Sequence, residues 1–245
     1  MGQLNGKVAL VTGSARGIGK AVATGLAREG ASLVIGDKDT AALQDTGKLI
    51  AELGVPVEAV STDVTDERQI ENLFSKGMDR FGRLDILVNN AGIFYGAPLD
   101  EITTEGWDRL MNTSLRGTFL CTRAAFRIMK KAGGGRILNI GSISGIRVRQ
   151  SNAAYNTAKF GITGLTHSTA LDGRNFGITC GCIYPGEVLT ERFQAIPSGN
   201  NPRPSTMMSL EDIAASVVYM ACLPPNVNIL ELVQLHRDQP FLARG

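Results

Sequence analysis

The sequence holds only two histidines among its 245 residues, His167 and His236, and neither stands near a second ligand-type side chain at metal spacing. No catalytic metal is therefore expected. The four cysteines, Cys121, Cys180, Cys182 and Cys222, make no CxxC pair. Cys180 and Cys182 alternate inside "ITCGCI", a strand pattern that turns both thiols to one face, as buried free thiols in a reducing cytoplasm would lie. Long runs of one charge are also missing. The 25 basic residues stand against 23 acidic ones, for a net charge of +2, and no basic patch is interleaved with aromatics. Nucleic acid is not expected as a partner. No apolar run reaches the length of a membrane span, and "MGQLNGKVALVTG" lacks the apolar stretch of a signal peptide. Gly6 stands where a myristoylation signal needs Ser or Thr. Together these absences lead us to expect a cytoplasmic protein with a small-molecule partner and no membrane attachment.

What is present is an ordinary globular composition, 43% hydrophobic and 20% charged, long enough to bury a large core without disulfides or metal. A single domain over residues 1–245 is the expectation. Short apolar runs ("KVALVTG", "ASLVIGD", "VPVEAVSTD", "LDILVNNAG", "GRILNIGS", "GITCGCIYPG" and a late "NVNILELVQL") read as buried strands. Segments of helical period lie between them, at about 17–30, 40–53, 66–81, 104–131, 152–173 and 209–222. Strands alternating with helices in this way predict an α/β fold, a doubly wound parallel seven-stranded sheet. The one stretch without clear period, 186–208, is rich in Pro, Asn, Ser and Gly, as lids, binding loops and plainly disordered segments alike are.

The first strand runs into "VTGSARGIGK". Gly13, Gly17 and Gly19 stand between a strand and a helix, with Ser14, Arg16 and Ile18 among them. A turn this tight needs backbone freedom, and it lets a diphosphate approach the amides at a helix N-terminus. Asp37 closes the second strand, where a carboxylate accepts from an adenosine ribose and repels a 2′-phosphate. Arg16 and Lys38 are the nearest bases that could offset that repulsion. NAD is thus the expected cofactor, ahead of NADP. Asp63 and Val64 end the third strand, where the Asp carboxylate can bond an adenine amine. Asn89, Asn90, Ala91 and Gly92 end the fourth and offer polar anchors with a small-residue floor.

In "AAYNTAKFGITG" Tyr155 and Lys159 lie one helical turn apart, on one face. Such a pair arises easily by chance. It gains weight from Ser142, which ends the fifth strand in "LNIGSISG". With these residues in view the chain resembles the short-chain dehydrogenase/reductase family. Thr12, Gly13, Gly17, Ile18, Gly19, the run Asn89 to Gly92, Ser142, Tyr155, Lys159 and "YPGEVLT" (Pro185, Gly186, Val188, Thr190) follow the family order over about residues 6 to 235. The resemblance implies a Rossmann-fold oxidoreductase of alcohols and carbonyls, without metal, usually a homotetramer or homodimer. It gives Tyr155 the role of acid and base, Ser142 the substrate oxygen, and Lys159 both the phenolate and the nicotinamide ribose. Pro185, Gly186, Val188 and Thr190 then belong to the cofactor site. The residue chemistry agrees, since an ammonium beside a phenol favours its ionised form.

One departure stands out. Where the family carries a catalytic Asn, "WDRLMNTSLRGTF" places Ser114. Asn112 is close, but two helical residues rotate a side chain by about 200°, so it needs a shifted helix to substitute. A serine could support the family's proton-relay water through its carbonyl or its hydroxyl. The ending "NVNILELVQL" also departs from that of the 3-oxoacyl reductases of the family. On the substrate side, Ile93 to Leu99, Ile143 to Gln150 and the loop from Glu187 onward should frame the pocket, with Tyr95, Arg147, Gln150, Tyr184 and Arg192 as candidate contacts. The leading expectation is hydride transfer between NAD(H) and a small secondary alcohol or carbonyl. The alternatives are an NADP-dependent carbonyl or 3-oxoacyl reductase and, with less support, a catalytically weak nucleotide-binding scaffold.

Overall fold

The computed structural model describes residues 2–191 and 206–241. Strands β1 (Val8–Thr12), β2 (Ser32–Asp37), β3 (Val57–Ser61), β4 (Ile86–Asn89), β5 (Gly135–Ile140), β6 (Ile178–Pro185) and β7 (Glu231–Gln234) alternate with helices α1 (Gly17–Arg28), α2 (Thr40–Glu52), α3 (Glu67–Phe81), α4 (Thr104–Leu110), α5 (Gly117–Ala132), α6 (Ala153–Gly173) and α7 (Leu210–Cys222). The strands form one seven-stranded sheet in the order β3-β2-β1-β4-β5-β6-β7, and every pairing is parallel. The expected doubly wound architecture is present.

Strand alternation builds two cores. Ala9, Val11, Leu33 and Ile35 face one side, packed with Val22 and Leu26 of α1, Leu43 and Ile50 of α2, and Ile213 and Val217 of α7. Val8, Leu10 and Val34 face the other, against Leu73 and Phe74 of α3 and Leu120 and Met129 of α5. Because side chains alternate with period two, each central strand needs apolar residues at nearly every position, which is why these strands read as unbroken apolar runs. Burial pushes the Cys121 thiol up to about 12 and the Cys182 thiol up to about 11, as desolvation of a thiolate requires.

Two elements differ from the sequence expectation. The helix expected over 104–131 is interrupted by a turn of π-helix, Met111–Arg116, between α4 and α5. A π turn inserts a residue into the helical ladder and rotates everything beyond it, so one uniform period does not describe the stretch. The last strand is short, only Glu231–Gln234 of "NVNILELVQL". It is an edge strand, its Leu232 packs against the core beneath α1 and α7, and Val233 is exposed.

Polar residues cross the sheet interior just below its carboxyl edge. Asn89 pairs with Asn139 across β4 and β5, donating Nδ2 to Asn139 Oδ1 at 2.8 Å and to Thr122 Oγ1 at 2.9 Å. Asn139 in turn donates to Thr166 Oγ1 at 2.8 Å, tying α5, β4, β5 and α6 together. Both asparagines are buried. Replacing Asn139 by Ala strands buried partners at both ends, so urea unfolding should show a loss of about 2–3 kcal/mol. An unchanged midpoint would mean that the network contributes nothing to stability.

Candidate functional site

The chain runs from β1 outward through β2 to β3 and then returns to place β4 beside β1. That reversal opens a crevice at the carboxyl ends of β1 and β4, where ligands bind in open parallel sheets. Thr12 Oγ1 accepts the backbone N–H groups of Asn90 and Ala91, both at 3.1 Å. Asn90 Nδ2 donates to the carbonyls of Thr12 and Gly13 at 3.0 and 2.8 Å. Asn90 therefore clamps the glycine turn from the neighbouring strand. The turn itself needs its glycines. Gly13 and Gly17 hold φ of +64° and +56°, and a Cβ on Gly19 would sit 2.1 Å from the Gly13 carbonyl oxygen.

Helix α1 begins at this turn with no capping bond from Arg16, its N-cap residue, and no acidic residue in its first turn. Gly17 and Gly19 are buried there. A helix N-terminus in a glycine turn, without a cap or acid of its own, fits an anionic group such as a diphosphate. Asp37 ends β2 beside it, its carboxylate accepting from Ala15 N at 3.1 Å and from Asp39 N at 3.0 Å. Arg16 is ion-paired with Asp39, the residue that caps α2. Asp63 takes both the N–H and the hydroxyl of Thr65 on one carboxylate oxygen, and Val64 is buried against Gly117 at the start of α5.

Further along the same edge, α6 carries Tyr155 and Lys159. Lys159 is buried, and Nζ donates to the Ile140 carbonyl at the end of β5 at 2.8 Å. The same ammonium lies 5.7 Å from the centre of the Tyr155 ring. Ser142 follows β5 and accepts the Ser144 N–H at 3.1 Å, opening a short 3-10 turn, Ile143–Gly145. That turn lies close on α6, because a Cβ on Gly145 would come within 2.8 Å of the Lys159 carbonyl oxygen. Asn156 fixes the following loop by accepting from Arg149 N at 3.3 Å and donating to Arg149 O at 2.9 Å. Ser142, Tyr155 and Lys159 thus come from two elements locked together at one end of the sheet.

Ser114 lies within the π turn and is buried, whereas Asn112 is exposed. The serine hydroxyl accepts from Ile93 N at 3.1 Å and faces Ile93 O at 3.5 Å, and its carbonyl accepts from the Thr118 hydroxyl at 2.7 Å. The hydroxyl clips the π turn to the segment leaving β4.

On the substrate side the segment that follows β4 runs beside the start of α6. Ala97 bridges Asn152, and the Phe94 ring tilts against Tyr155 with centroids 5.1 Å apart. Three candidate contacts have partners within the chain. Tyr184 is fully buried, its hydroxyl donating to Glu231 at 3.0 Å and pushed upward by burial, so it faces the interior beneath β7. Tyr95 packs on Gly106 and accepts Thr103 N–H at 3.2 Å, committing its hydroxyl to the start of α4. Arg147 lies over the Phe241 ring, 5.1 Å from its centroid. Gln150 is exposed, and Arg192 falls outside the described residues. Sequence reasoning missed Phe94, the Arg149–Glu187 ion pair at 3.1 Å and Gln239, whose Oε1 accepts from Glu187 N at 2.9 Å. Gly186 is a glycine partly because Gln239 fills that space, 2.0 Å from where a Cβ would be. No spacing rule could announce such a contact.

The sequence profile of the family described as short chain dehydrogenase matches residues 7–201. An uncharacterised oxidoreductase of Bacillus subtilis, YxjF, is 42% identical over 185 residues, 76% of this chain and 72% of its own length. Among solved structures, an alcohol dehydrogenase from the archaeon Thermococcus sibiricus, complexed with 5-hydroxy-NADP, is 28% identical with a TM-score of 0.87, covering 96% of this chain and 98% of the other. Levodione reductase is 30% identical with a TM-score of 0.87, covering 95% and 97%.

Replacing Ser114 by Ala removes the clip to Ile93 and should lower stability by about 1–2 kcal/mol in urea unfolding. Ser114→Asn has an amide that can meet both Ile93 groups and should fall within about 1 kcal/mol of the parent chain. Equal losses for the two variants would contradict the clip.

Proposed function

The chain belongs to the short-chain dehydrogenase family, and from that premise we propose that this oxidoreductase transfers a hydride between NAD(H) and a small secondary alcohol or its carbonyl, with Tyr155 as acid and base. The observation that carries the reading is a phenol one helical turn from a buried ammonium. The ammonium is tied to the end of β5, two residues before Ser142, at the same sheet edge as the start of α1. NAD(H), when bound, supplies the hydride acceptor or donor.

The side chains supply the rest. Ser142 accepts locally from Ser144 N–H, and its own hydroxyl proton is left to donate to a substrate oxygen. Tyr155 takes the alcohol proton in oxidation and returns one to the carbonyl in reduction. The Lys159 charge favours the phenolate form of Tyr155. Phe94 tilts against the Tyr155 ring and sets apolar surface beside the phenol. The Ser114 carbonyl is our candidate for holding a relay water beside Lys159.

For the cofactor end, Gly13, Ser14, Arg16, Gly17, Ile18 and Gly19 would surround the diphosphate. Asp37 would hold the adenosine ribose, and Asp63 and Val64 the adenine. Asn90, Ala91, Gly92, Pro185, Gly186, Val188 and Thr190 would line the remainder, and Tyr155 and Lys159 the nicotinamide ribose. The Asp37 carboxylate supports NAD over NADP, and so does the pairing of Arg16 with Asp39, because that arginine is already neutralised. The second reading, an NADP-dependent carbonyl or 3-oxoacyl reductase, has its own support in the NADP analogue bound by the archaeal relative.

Assembly as a homotetramer or homodimer is part of the proposal. Phe119 on α5 and Phe160 and Leu171 on α6 are large apolar side chains exposed at 43%, 44% and 63%, and a second copy would cover them. Light scattering should report a dimer or tetramer, and a monomer at micromolar concentration would contradict this. Three unpaired, buried thiols suit the reducing cytoplasm we propose as its compartment.

Tyr155→Phe should lower turnover at least about a hundredfold while NADH binding is retained, since only the transferable proton is removed. Titration of the parent chain should show NADH well ahead of NADPH, and Asp37→Ala should narrow that gap. A preference for NADPH in the parent chain would favour the second reading.

A further inference from the structure

The groove between α1 and α7, about 890 Å³, opens at one end onto the glycine turn, and there Glu191 meets Gly17. Glu191 Oε1 accepts the Gly17 N–H at 3.2 Å, bridging residues far apart in the chain. Its other oxygen lies 3.5 Å from where a Cβ on Gly17 would be. A carboxylate therefore rests on the first turn of a helix whose N-cap residue supplies no capping bond and whose first turn holds no acid of its own. The segment leading to it is firmly held, with Leu189 N bonded to Met208 O, Met208 N to Glu187 O, and Thr190 N to Val188 O.

We propose that Glu191 is an internal anion that competes with the cofactor diphosphate for the N-terminus of α1, and so sets how tightly the dinucleotide binds. The inference rests on the dinucleotide reading above. The positive end of a helix favours one anion, and two negative groups crowded onto one turn repel each other. Binding a diphosphate at these amides must therefore displace the carboxylate or accept that repulsion. Glu191 is exposed at the groove, with Lys20 lining the same space, so the displaced carboxylate enters water near a cation. The arrangement weakens the nucleotide complex and so favours its release after turnover.

The test is calorimetric titration of the full chain with NADH, ADP and adenosine, for the parent, Glu191→Gln and Glu211→Gln. Glutamine keeps the size and the acceptor while removing the charge. Glu211 lines the same groove at the start of α7 and controls for a general change in charge. Glu191→Gln should bind NADH and ADP about two- to fivefold more tightly and leave adenosine unchanged, as expected for one charge at a helix terminus. Glu211→Gln should match the parent. Unchanged or weaker binding of NADH and ADP by Glu191→Gln would overturn the proposal, as would an equal shift for adenosine, which carries no phosphate. A parent chain that binds none of the three would overturn the dinucleotide reading itself.

Discussion

A buried ammonium group organises the chemistry-bearing end of this molecule. Lys159 has been taken out of water, and among the described residues no carboxylate pairs with it. Its hydrogen bond goes to the Ile140 carbonyl at the tip of β5. Burying a charge on those terms costs free energy that a purely structural lysine would avoid. The charge instead faces the ring of Tyr155, one turn away on the same helix. The bond to Ile140 also fixes α6 relative to β5, and with it the distance from Tyr155 to Ser142.

The sheet explains why these groups meet the glycine turn at all. In a parallel sheet every carboxyl end lies on one edge, and the reversal of strand order between β1 and β4 opens that edge into a crevice. Asn90 spans the crevice floor by holding the carbonyls of Thr12 and Gly13. Below it the Asn89–Asn139–Thr166 chain ties the strands to α6. Positioning of the site and stability of the fold are therefore carried by the same buried polar contacts. The π turn belongs to this scheme. It buries Ser114 and sets its hydroxyl against Ile93 in the segment that follows β4.

Much of this was legible in the sequence. Apolar runs ending in Gly, Asp, Asn or Ser marked the strands and their carboxyl ends, because buried parallel strands need apolar side chains on both faces. The Gly13–Gly19 turn was legible because only glycine fits its backbone. Tyr155 and Lys159 declared a common helix face by their spacing. The spacing from Trp107 and Gly117 singled out Ser114, but it assumed a uniform helix and gave no sign of the π turn that holds it. What stayed hidden was everything decided by contact between distant segments. Tyr184 looked like a pocket residue from its place before Pro185, yet period two along β6 turns it inward onto Glu231. Tyr95 was drawn off by the N-terminus of α4. Gln239 filling the space above Gly186, and Glu191 reaching Gly17, depend on where the chain returns after long excursions. No local pattern encodes that.

The central claim, that a phenol poised by a buried ammonium serves hydride transfer with NAD, is tested most directly by following the near-ultraviolet absorbance of reduced nicotinamide. The parent chain would be mixed with a panel of small secondary alcohols and either NAD or NADP. The account predicts a rise in absorbance for at least one alcohol, faster with NAD than with NADP. No rise with either nucleotide across the panel, in a chain that also fails to bind NADH, would contradict it.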